Sequence, residues 1–376
     1  MYIQVKIMNL INHLRSSFWL IPGVMCIVAF ILSRITLSLD TDIPAIFSSW
    51  DQVFLYQGDI QGARQLLTTI AGSMITISGV TFSITVVALS LTSSQFGPRL
   101  LENFMRDRGN QLVLGTFVST FMYCIFVLAN KPSSISSAFP VSASTALILS
   151  LLSVWVLIYF FHHASSSMRA EHVVNIATQE LSKSIDRFIE DANLTASSKP
   201  AFNMQHDFTF TMSSLSSGYI QAIDAAALTA LAKDNELVLK LRRRPGHFVA
   251  EGEPVIVANS TLEDPELINK IREQVVIGQS RTDEQDPEFG IHQLVEIAVR
   301  SLSPGINDPF TANTCVDWLK SSLMKIINQP MPVSDRFDED GNLRVILDVL
   351  SFEGLVRSAF DQIRQNAYKT PAVSIH

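Results

Sequence analysis

Four apolar stretches in the first half of the chain limit what it can fold into. Each is long enough to cross about 30 Å of hydrocarbon as an α-helix, which takes about 20 residues. We place the four predicted spans at Phe18–Leu39, Leu66–Leu91, Leu112–Leu128 and Val141–Phe161. No clear small-x-small cleavage site follows the first stretch, so we interpret it as a retained span rather than a signal peptide. The sequence therefore predicts a four-span membrane protein.

The two parts of the chain differ in charge. Residues 1–164 hold 8 of the 28 Lys and Arg and 6 of the 35 Asp and Glu, whereas residues 165–376 hold 20 and 29. This pattern excludes a wholly soluble protein, a disordered chain and a strongly basic nucleic-acid-binding protein. We predict a transmembrane domain over residues 1–164, a stalk helix and linker over 165–199, and a soluble α+β domain over 200–376.

Basic residues near the span ends predict the orientation. They lie at the amino terminus, in the second loop and after the last span: Lys6, Arg15, Arg99, Arg106, Arg108 and Arg169. The loop after the first span instead carries four Asp against one Arg. Because Lys and Arg concentrate in cytoplasmic loops, we expect both termini and the carboxy-terminal domain to be cytoplasmic.

The second span is unusually polar, with nine Ser or Thr among its 26 residues. At helical spacing, one stripe contains Gly72, Thr76, Gly79, Ser83 and Ser90. A second stripe contains Ser78, Thr81, Thr85 and Thr92. Close helix packing is the commoner role of such small residues. The alternative is a water-lined or ion-lined path in a homo-oligomer, with the first stripe as the pore-lining surface.

Ionisable groups are nearly absent from the four spans. This argues against a proton-coupled pump, which needs carboxylates or histidines inside the membrane. Arg34 is the exception, and at the outer end of the first span it is expected to extend towards the interface. A passive path is therefore the transport hypothesis that the spans allow.

Three arginines follow the second span in a short amphipathic segment. Arg99, Arg106 and Arg108 accompany an apolar side that includes Leu101 and Phe104. Such a segment is typical of an interfacial helix that binds anionic lipid head groups. The alternative is a collar that gates a path through the membrane.

Two motifs of this chain resemble a known family. The first is SSQFGPRLL at Ser93–Leu101, preceded by TFSI at Thr81–Ile84 and followed by RDRGNQ at Arg106–Gln111. The second is FGIHQLVEIA at Phe289–Ala298, continuing through RSLSPGINDPFTA at Arg300–Ala312. Together they resemble the bacterial predicted membrane proteins of domain-of-unknown-function family 2254, over nearly the whole chain. The resemblance implies a bacterial inner-membrane protein with a cytoplasmic domain, and it supplies no catalytic residue.

The carboxy-terminal domain has a mixed pattern of strands and helices. Strands are predicted at Phe208–Met212, Tyr219–Ile223, Glu236–Arg242 and Leu343–Val349, and helices at Asp224–Ala232, Asp264–Ile277, Gly290–Leu302, Pro309–Ile327 and Phe352–Ala367. The segment Arg243–Val255 looks like a hairpin of a barrel-sandwich-like β portion without a swinging lysine. The run Arg242-Arg243-Arg244 can receive an anionic ligand, but a solvated charge run is the commoner meaning.

Two groups of residues are candidates for enzyme or metal chemistry. His162, His163 and His172 could form a metal or pH-sensitive cluster, but the first two point in different directions on a helix. An enzyme would use His292 as base, Glu296 as its orienter and Arg300 as an anion clamp. An i,i+4 ion pair between Glu296 and Arg300 is the simpler interpretation. We expect no catalytic residue, cofactor or metal.

The sequence hypothesis is a homo-oligomeric channel or passive conduit for ions in the lipid bilayer, lined by the second span. The alternative is a membrane-anchored sensor or scaffold, whose cytoplasmic domain binds a ligand or a protein.

Overall fold

A computed structural model of the chain describes residues 19–42, 56–97, 107–130, 140–167, 169–195 and 207–376. The chain divides into two compact units. We call the one built from the first four helices the membrane unit, and the one that begins at Ala170 the C-terminal unit.

The membrane unit consists of four helices: α1 (Leu20–Asp42), α2 (Ile60–Phe96), α3 (Arg108–Ala129) and α4 (Pro140–Ser167). All four are long and apolar enough to cross a membrane, which confirms the four predicted spans. With 37 residues, α2 is longer than the predicted span. At 1.5 Å per residue it extends over about 55 Å, more than the hydrocarbon thickness, so it must tilt or project beyond the bilayer core.

Large side chains fill the interior of the membrane unit. Phe117 and Tyr123 of α3 and Phe160 of α4 are almost completely buried, and Leu67 and Met74 of α2 pack against the same cluster. The other faces of the helices carry exposed apolar side chains such as those of α4. Exposed apolar surface of this extent is what a lipid-facing bundle presents.

The C-terminal unit mixes helices and strands. Its elements in chain order are α5 (Ala170–Thr195), β1 (Phe210–Ser213), β2 (Gly218–Ile223), α6 (Ala225–Asp234), β3 (Leu239–Leu241), β4 (Phe248–Val249), β5 (Pro254–Ala258), α7 (Pro265–Arg272), β6 (Val275–Gly278), α8 (Pro287–Ser301), α9 (Pro309–Met324), β7 (Asp335–Phe337), β8 (Leu343–Ile346), α10 (Phe352–Asn366), a 3-10 turn (Ala367–Lys369) and α11 (Pro371–Ile375). The predicted α+β class is confirmed.

The strands form two open sheets, and the described residues contain no closed barrel. The larger sheet has the order β1-β5-β3-β8-β7, in which only β3 and β8 are parallel. The smaller sheet has the order β4-β2-β6 and is antiparallel. Their shared core includes Ile220, Leu239, Leu241, Ile256 and Val345.

Two local predictions need correction. The segment Arg243–Val255 is not a hairpin, because β4 pairs with β2 in the smaller sheet while β5 pairs with β1 and β3 in the larger one. The helix expected over Asp264–Ile277 ends at Arg272, and Val275–Gly278 forms β6. The run Val275-Val276-Ile277 favours a strand because β-branched side chains lose rotamer freedom in a helix.

Helix α8 is the centre of the helical layer and packs against α5, α9 and α10. Its residues Ile291, Leu294 and Ile297 are completely buried. Gly290 allows α5 to approach closely, since a Cβ at Gly290 would lie 3.0 Å from Leu181 Cα. The segment predicted as a stalk therefore contributes Leu181 and Ile185 to the helical layer of this unit.

Candidate functional site

The two polar stripes of α2 face opposite ways in the membrane unit. Ser78, Thr81 and Thr92 of the second stripe are 5 %, 3 % and 4 % exposed, and Thr85 is half-buried, so this stripe is covered by protein. All members of the predicted pore-lining stripe are exposed: Gly72, Thr76, Gly79, Ser83 and Ser90. The second stripe therefore has the packing role, and the first stripe faces away from the protomer.

Hydroxyl groups on the exposed stripe donate to their own helix. Thr76 Oγ1 donates to the carbonyl oxygen of Gly72 at 2.8 Å, and Ser83 Oγ donates to that of Gly79 at 2.9 Å. Each hydroxyl proton is thus satisfied, while lone pairs of the oxygen stay available on the outward side. Apart from the adjacent residues and the nearby backbone of α2 itself, no described atom lies within 4 Å of the position that a Cβ would take at Gly72 or Gly79. These glycines are not needed for packing inside the described protomer.

A buried carboxylate lies at one end of the bundle, at Asp40, which the sequence pattern places in the loop after the first span. Asp40 Oδ1 accepts from the backbone N–H of Val141 at 2.8 Å, and Oδ2 accepts from the N–H and hydroxyl of Ser142 at 3.2 and 2.5 Å. Asp40 of α1 therefore caps the first turn of α4. Its charge is stabilised by the unpaired N–H groups and positive dipole end of that helix.

Tyr123 continues this polar network across the bundle. Its hydroxyl lies 2.9 Å from Thr36 Oγ1 and donates to the carbonyl oxygen of Ser142 at 3.2 Å. Asp40 and Tyr123 thus connect α1, α3 and α4 at one end. A proline at the start of the fourth span is the available sequence signal for a helix start that needs a cap.

At the other end of the bundle, His163 pairs with Asp107. His163 Nε2 lies 2.5 Å from Asp107 Oδ2, and the His163 ring stacks on Tyr159. Asp107 also caps α3 by accepting from the N–H of Gly109. His162 and His172 are exposed. Within the described parts of the chain, no three or more His, Cys, Asp and Glu side chains are grouped so that they could hold a metal ion.

The predicted gate or head-group residues are only partly covered by the structure. Arg99 and Arg106 lie outside the described residues, so their role stays a prediction. Arg108 is the first residue of α3 and is exposed.

The residues considered for catalysis have structural partners. Arg300 Nε donates to Glu296 Oε1 at 3.3 Å, which is the i,i+4 pair that the simpler interpretation requires. His292 Nδ1 lies 3.1 Å from a terminal nitrogen of Arg281. His292 is therefore positioned by the segment that precedes α8.

The C-terminal unit contains a cavity of about 260 Å³. It lies where α5, the first residues of α6 and α8, the turn before β4 and the segments around β7 and after β8 meet. Three guanidinium groups from separate elements line it: Arg187, Arg244 and Arg336. Part of the wall is apolar, with Phe188 and Leu350 among its residues. These residues are far apart in the chain, so no sequence pattern brings them together.

Arg244 corrects the interpretation of Arg242-Arg243-Arg244 as a solvated charge run. Its side chain is only 22 % exposed, and one terminal nitrogen donates to Glu288 Oε2 at 2.8 Å. Ser358 donates to the other oxygen of Glu288 at 2.5 Å. Burial alone would raise the pKa of Glu288, but the hydrogen bonds from Ser358 and Arg244 outweigh it and hold that pKa below its usual value.

A second buried pair stands next to the first. Arg281 donates to Asp286 Oδ2 from Nε at 2.9 Å and from a terminal nitrogen at 2.5 Å. Burial raises the pKa of Asp286 despite this guanidinium. His247 lies 3.9 Å from Asp348, and burial together with the nearby Arg244 lowers the pKa of its imidazole. Asp286 and Pro287 hold the N-cap and first helical positions of α8, as Asp264 and Pro265 do in α7, but the Asp286 side chain makes no capping hydrogen bond. Helix α8 starts earlier than the predicted Gly290.

Comparisons with known proteins agree with these observations. The family model described as "Predicted membrane protein (DUF2254)" matches residues 15–376. Uncharacterized proteins from Mycobacterium bovis and Mycobacterium tuberculosis are 28 % identical over 378 residues, covering 97 % of this chain and 71 % of the relative. No solved structure matches the chain significantly. Since the model covers almost the full length and includes both motifs, the chain belongs to domain-of-unknown-function family 2254 of predicted membrane proteins.

Proposed function

We propose that the protein is an oligomeric passive conduit for ions, lined by the exposed stripe of α2. The observation that supports it best is that Gly72, Thr76, Gly79, Ser83 and Ser90 all face away from the protomer's own helices. Polar groups that face lipid find no hydrogen-bond partner there. The same groups facing a water-filled path replace part of an ion's hydration.

The conduit needs several copies of the chain. Phe117, Tyr123 and Phe160 fill the described interior of one membrane unit, so a path through a single protomer is not supported. A ring of α2 helices around a common axis gives each exposed stripe the same central environment. We further propose that this assembly lies in a bacterial inner membrane with the C-terminal unit in the cytoplasm, as the distribution of Lys and Arg predicts.

The stripe favours cations over anions. No residue from Gln65 to Phe96 is ionisable, so the lining is neutral. Because Thr76 and Ser83 donate their hydroxyl protons to carbonyl oxygens of α2, the lumen side presents mainly oxygen lone pairs. Such oxygens coordinate K⁺ or Na⁺ without the tight binding of a carboxylate.

Ion flux through purified protein in liposomes tests this proposal. We expect the wild type to pass K⁺ or Na⁺ in preference to Cl⁻, and Gly79→Trp to reduce the flux at least tenfold by filling the lumen. Leu151→Trp is the matched control, because Leu151 is an exposed apolar residue of α4 and should tolerate a lipid-facing indole. The oligomeric state of each variant is measured in parallel.

Cysteine labelling separates blockage from faulty assembly. Ser83→Cys keeps the size of the side chain, and a membrane-impermeant cationic thiol reagent should then inhibit flux progressively. Leu151→Cys should be insensitive. Unchanged flux in a correctly assembled Gly79→Trp variant, insensitivity of Ser83→Cys, or a purely monomeric wild type would each contradict the conduit.

A membrane-anchored sensor or scaffold is the second candidate, and the cavity of the C-terminal unit favours it. It predicts no flux in wild type or variants but a ligand bound by the C-terminal unit.

A further inference from the structure

The cavity of the C-terminal unit combines features that suit an anion. Arg187 comes from α5, Arg244 from the turn before β4, and Arg336 from β7. Guanidinium groups present planar, paired N–H donors that match a carboxylate or a phosphate. All three line one cavity of about 260 Å³.

Two of these guanidinium groups have N–H donors that are unpaired or only weakly paired. The Nε of Arg244 is buried without a hydrogen-bond partner among the described atoms, although a terminal nitrogen binds Glu288. The Arg336 side chain is 13 % exposed, and its carboxylate partner Asp191 is 3.8 Å away. A terminal nitrogen of Arg336 otherwise donates to backbone carbonyl oxygens, including that of Val333. Burial lowers the pKa of Arg336, as expected where nearby negative charge does not fully compensate the cation.

The amino-terminal ends of two helices also line the cavity. The first residues of α6 and α8, Ala225 and Pro287, both line the cavity. The amino-terminal end of a helix carries a partial positive charge and favours anions.

Carboxylates also line the cavity, and most are already engaged. Asp286 binds Arg281, and Asp348 lies within 3.7–3.9 Å of Arg244 and His247. Asp191 pairs with Arg336 and is largely exposed, as is Glu284. An incoming anion would compete for Arg336 with Asp191, which is a surface carboxylate at a long ion-pair distance.

We propose that this cavity binds a small organic anion, one carboxylate or phosphate group on a compact apolar body, with Arg336 and Arg187 as its cationic contacts and the unpaired Nε–H of Arg244 as a further donor. The apolar wall formed by Phe188, Pro245, Leu347 and Leu350 receives the body of the ligand. The volume of about 260 Å³ lies just below the usual range of small-molecule sites, about 300–1,000 Å³, which excludes a dinucleotide or a lipid. This site is independent of the conduit, because no residue of the membrane unit takes part.

Calorimetry on the full-length protein in detergent tests the proposal. Benzoate and phenyl phosphate are the probes, and they distinguish a carboxylate site from a phosphate site. Benzyl alcohol and benzylamine have the same ring without negative charge. We expect saturable binding of at least one anion, and binding at least tenfold weaker for the two uncharged or cationic compounds.

Variants identify the binding residues. Arg336→Gln should abolish binding of the anionic probe, and Arg187→Gln should weaken it about tenfold. Arg187 is half-exposed and pairs with Asp283 at the surface, so its replacement leaves the fold intact even if Arg336→Gln does not. Arg357→Gln is the control, because Arg357 is an exposed residue of α10 away from the cavity wall.

Three results would overturn the site. One is the absence of saturable binding of both anions to folded wild type. Another is equal binding by Arg187→Gln and Arg357→Gln. The third is preferential binding of benzylamine, which would assign the cavity to its carboxylates. Flux through the membrane unit stays a separate measurement, so failure here leaves the conduit unaffected.

Discussion

The membrane unit and the C-terminal unit each bury a carboxylate, but they stabilise it with different partners. Asp40 accepts two backbone N–H groups and one hydroxyl from the start of α4, without an ion pair to a described Lys or Arg. Glu288 instead binds the guanidinium of Arg244 and the hydroxyl of Ser358. In a bilayer, a helix end offers donors without a second costly charge, whereas a domain in water can bury a full ion pair.

Removing the cation from the C-terminal pair should have the largest effect. Arg244→Met leaves Glu288 buried and uncompensated, so we expect the free energy of unfolding to fall by about 3–5 kcal/mol. Hydrogen exchange of α8 amides measures the change. Glu288→Met in the same chain should recover much of it, and Arg357→Met should cost under about 1 kcal/mol because its partner Glu353 is exposed. If Arg244→Met cost no more stability than the control Arg357→Met, the C-terminal unit would not depend on its cation, and the two units would not differ in this respect.

Removing the carboxylate from the membrane unit should cost less, about 2–3 kcal/mol. Asp40→Ala deletes a helix cap and leaves the N–H groups of Val141 and Ser142 without this partner, at a part-buried and a buried position. Faster hydrogen exchange in the first turn of α4, measured in nanodiscs, is the expected sign. Asp59→Ala is the control, since Asp59 caps α2 through Gly62 at an exposed site. If Asp40→Ala and Asp59→Ala cost the same stability, the burial of Asp40 does not add to its stabilising effect.

The neutral partner of Glu288 should matter less than its cation. Ser358→Ala removes one hydrogen bond to Glu288 Oε1, and we expect a loss of about 1–2 kcal/mol. Thermal unfolding of the full-length protein, compared with Ser374→Ala, provides the measurement. A cost equal to that of Arg244→Met would mean that the hydroxyl stabilises Glu288 as much as the cation does.

We expect the smallest contribution to stability from the depressed pKa of Glu288, and the pH dependence of unfolding measures it. The folded-state pKa of Glu288 is depressed, so its stabilising effect is present above the unfolded-state pKa of about 4.3 and is lost as pH falls through the folded value. We expect the wild type to lose more stability between pH 6 and pH 3 than Glu288→Gln. Parallel curves for the two proteins would show that Glu288 keeps an ordinary pKa.

Length and charge patterns predicted the membrane unit well because the bilayer imposes one simple requirement. Twenty or so apolar residues can satisfy their backbone only as a helix, and the four spans follow from that. The choice between the stripes of α2 did not follow, since Gly79 and Thr81 are equally compatible with a packed face. The tertiary packing around α2 decides which stripe is covered.

Contacts between residues far apart in the chain could not be predicted from the sequence. Asp40 and Ser142 belong to different helices, and no local pattern pairs them. Arg187, Arg244 and Arg336 meet only because three elements converge on one cavity. The prediction also failed at Val275–Gly278, where the helix that starts at Asp264-Pro265 was extended up to Gly278, into a β-branched run.

The parallel pair in the larger sheet has a consequence for how the chain is made. β3 at Leu239–Leu241 lies between β5 and β8, and β8 comes about a hundred residues later in the chain. During synthesis, β3 therefore stays an open sheet edge until residues 343–346 leave the ribosome, long after the membrane helices have been translated. A ribosome that stops before residue 343 releases a chain with an unpaired hydrophobic strand, which makes truncated products of this protein natural substrates for aggregation and proteolysis.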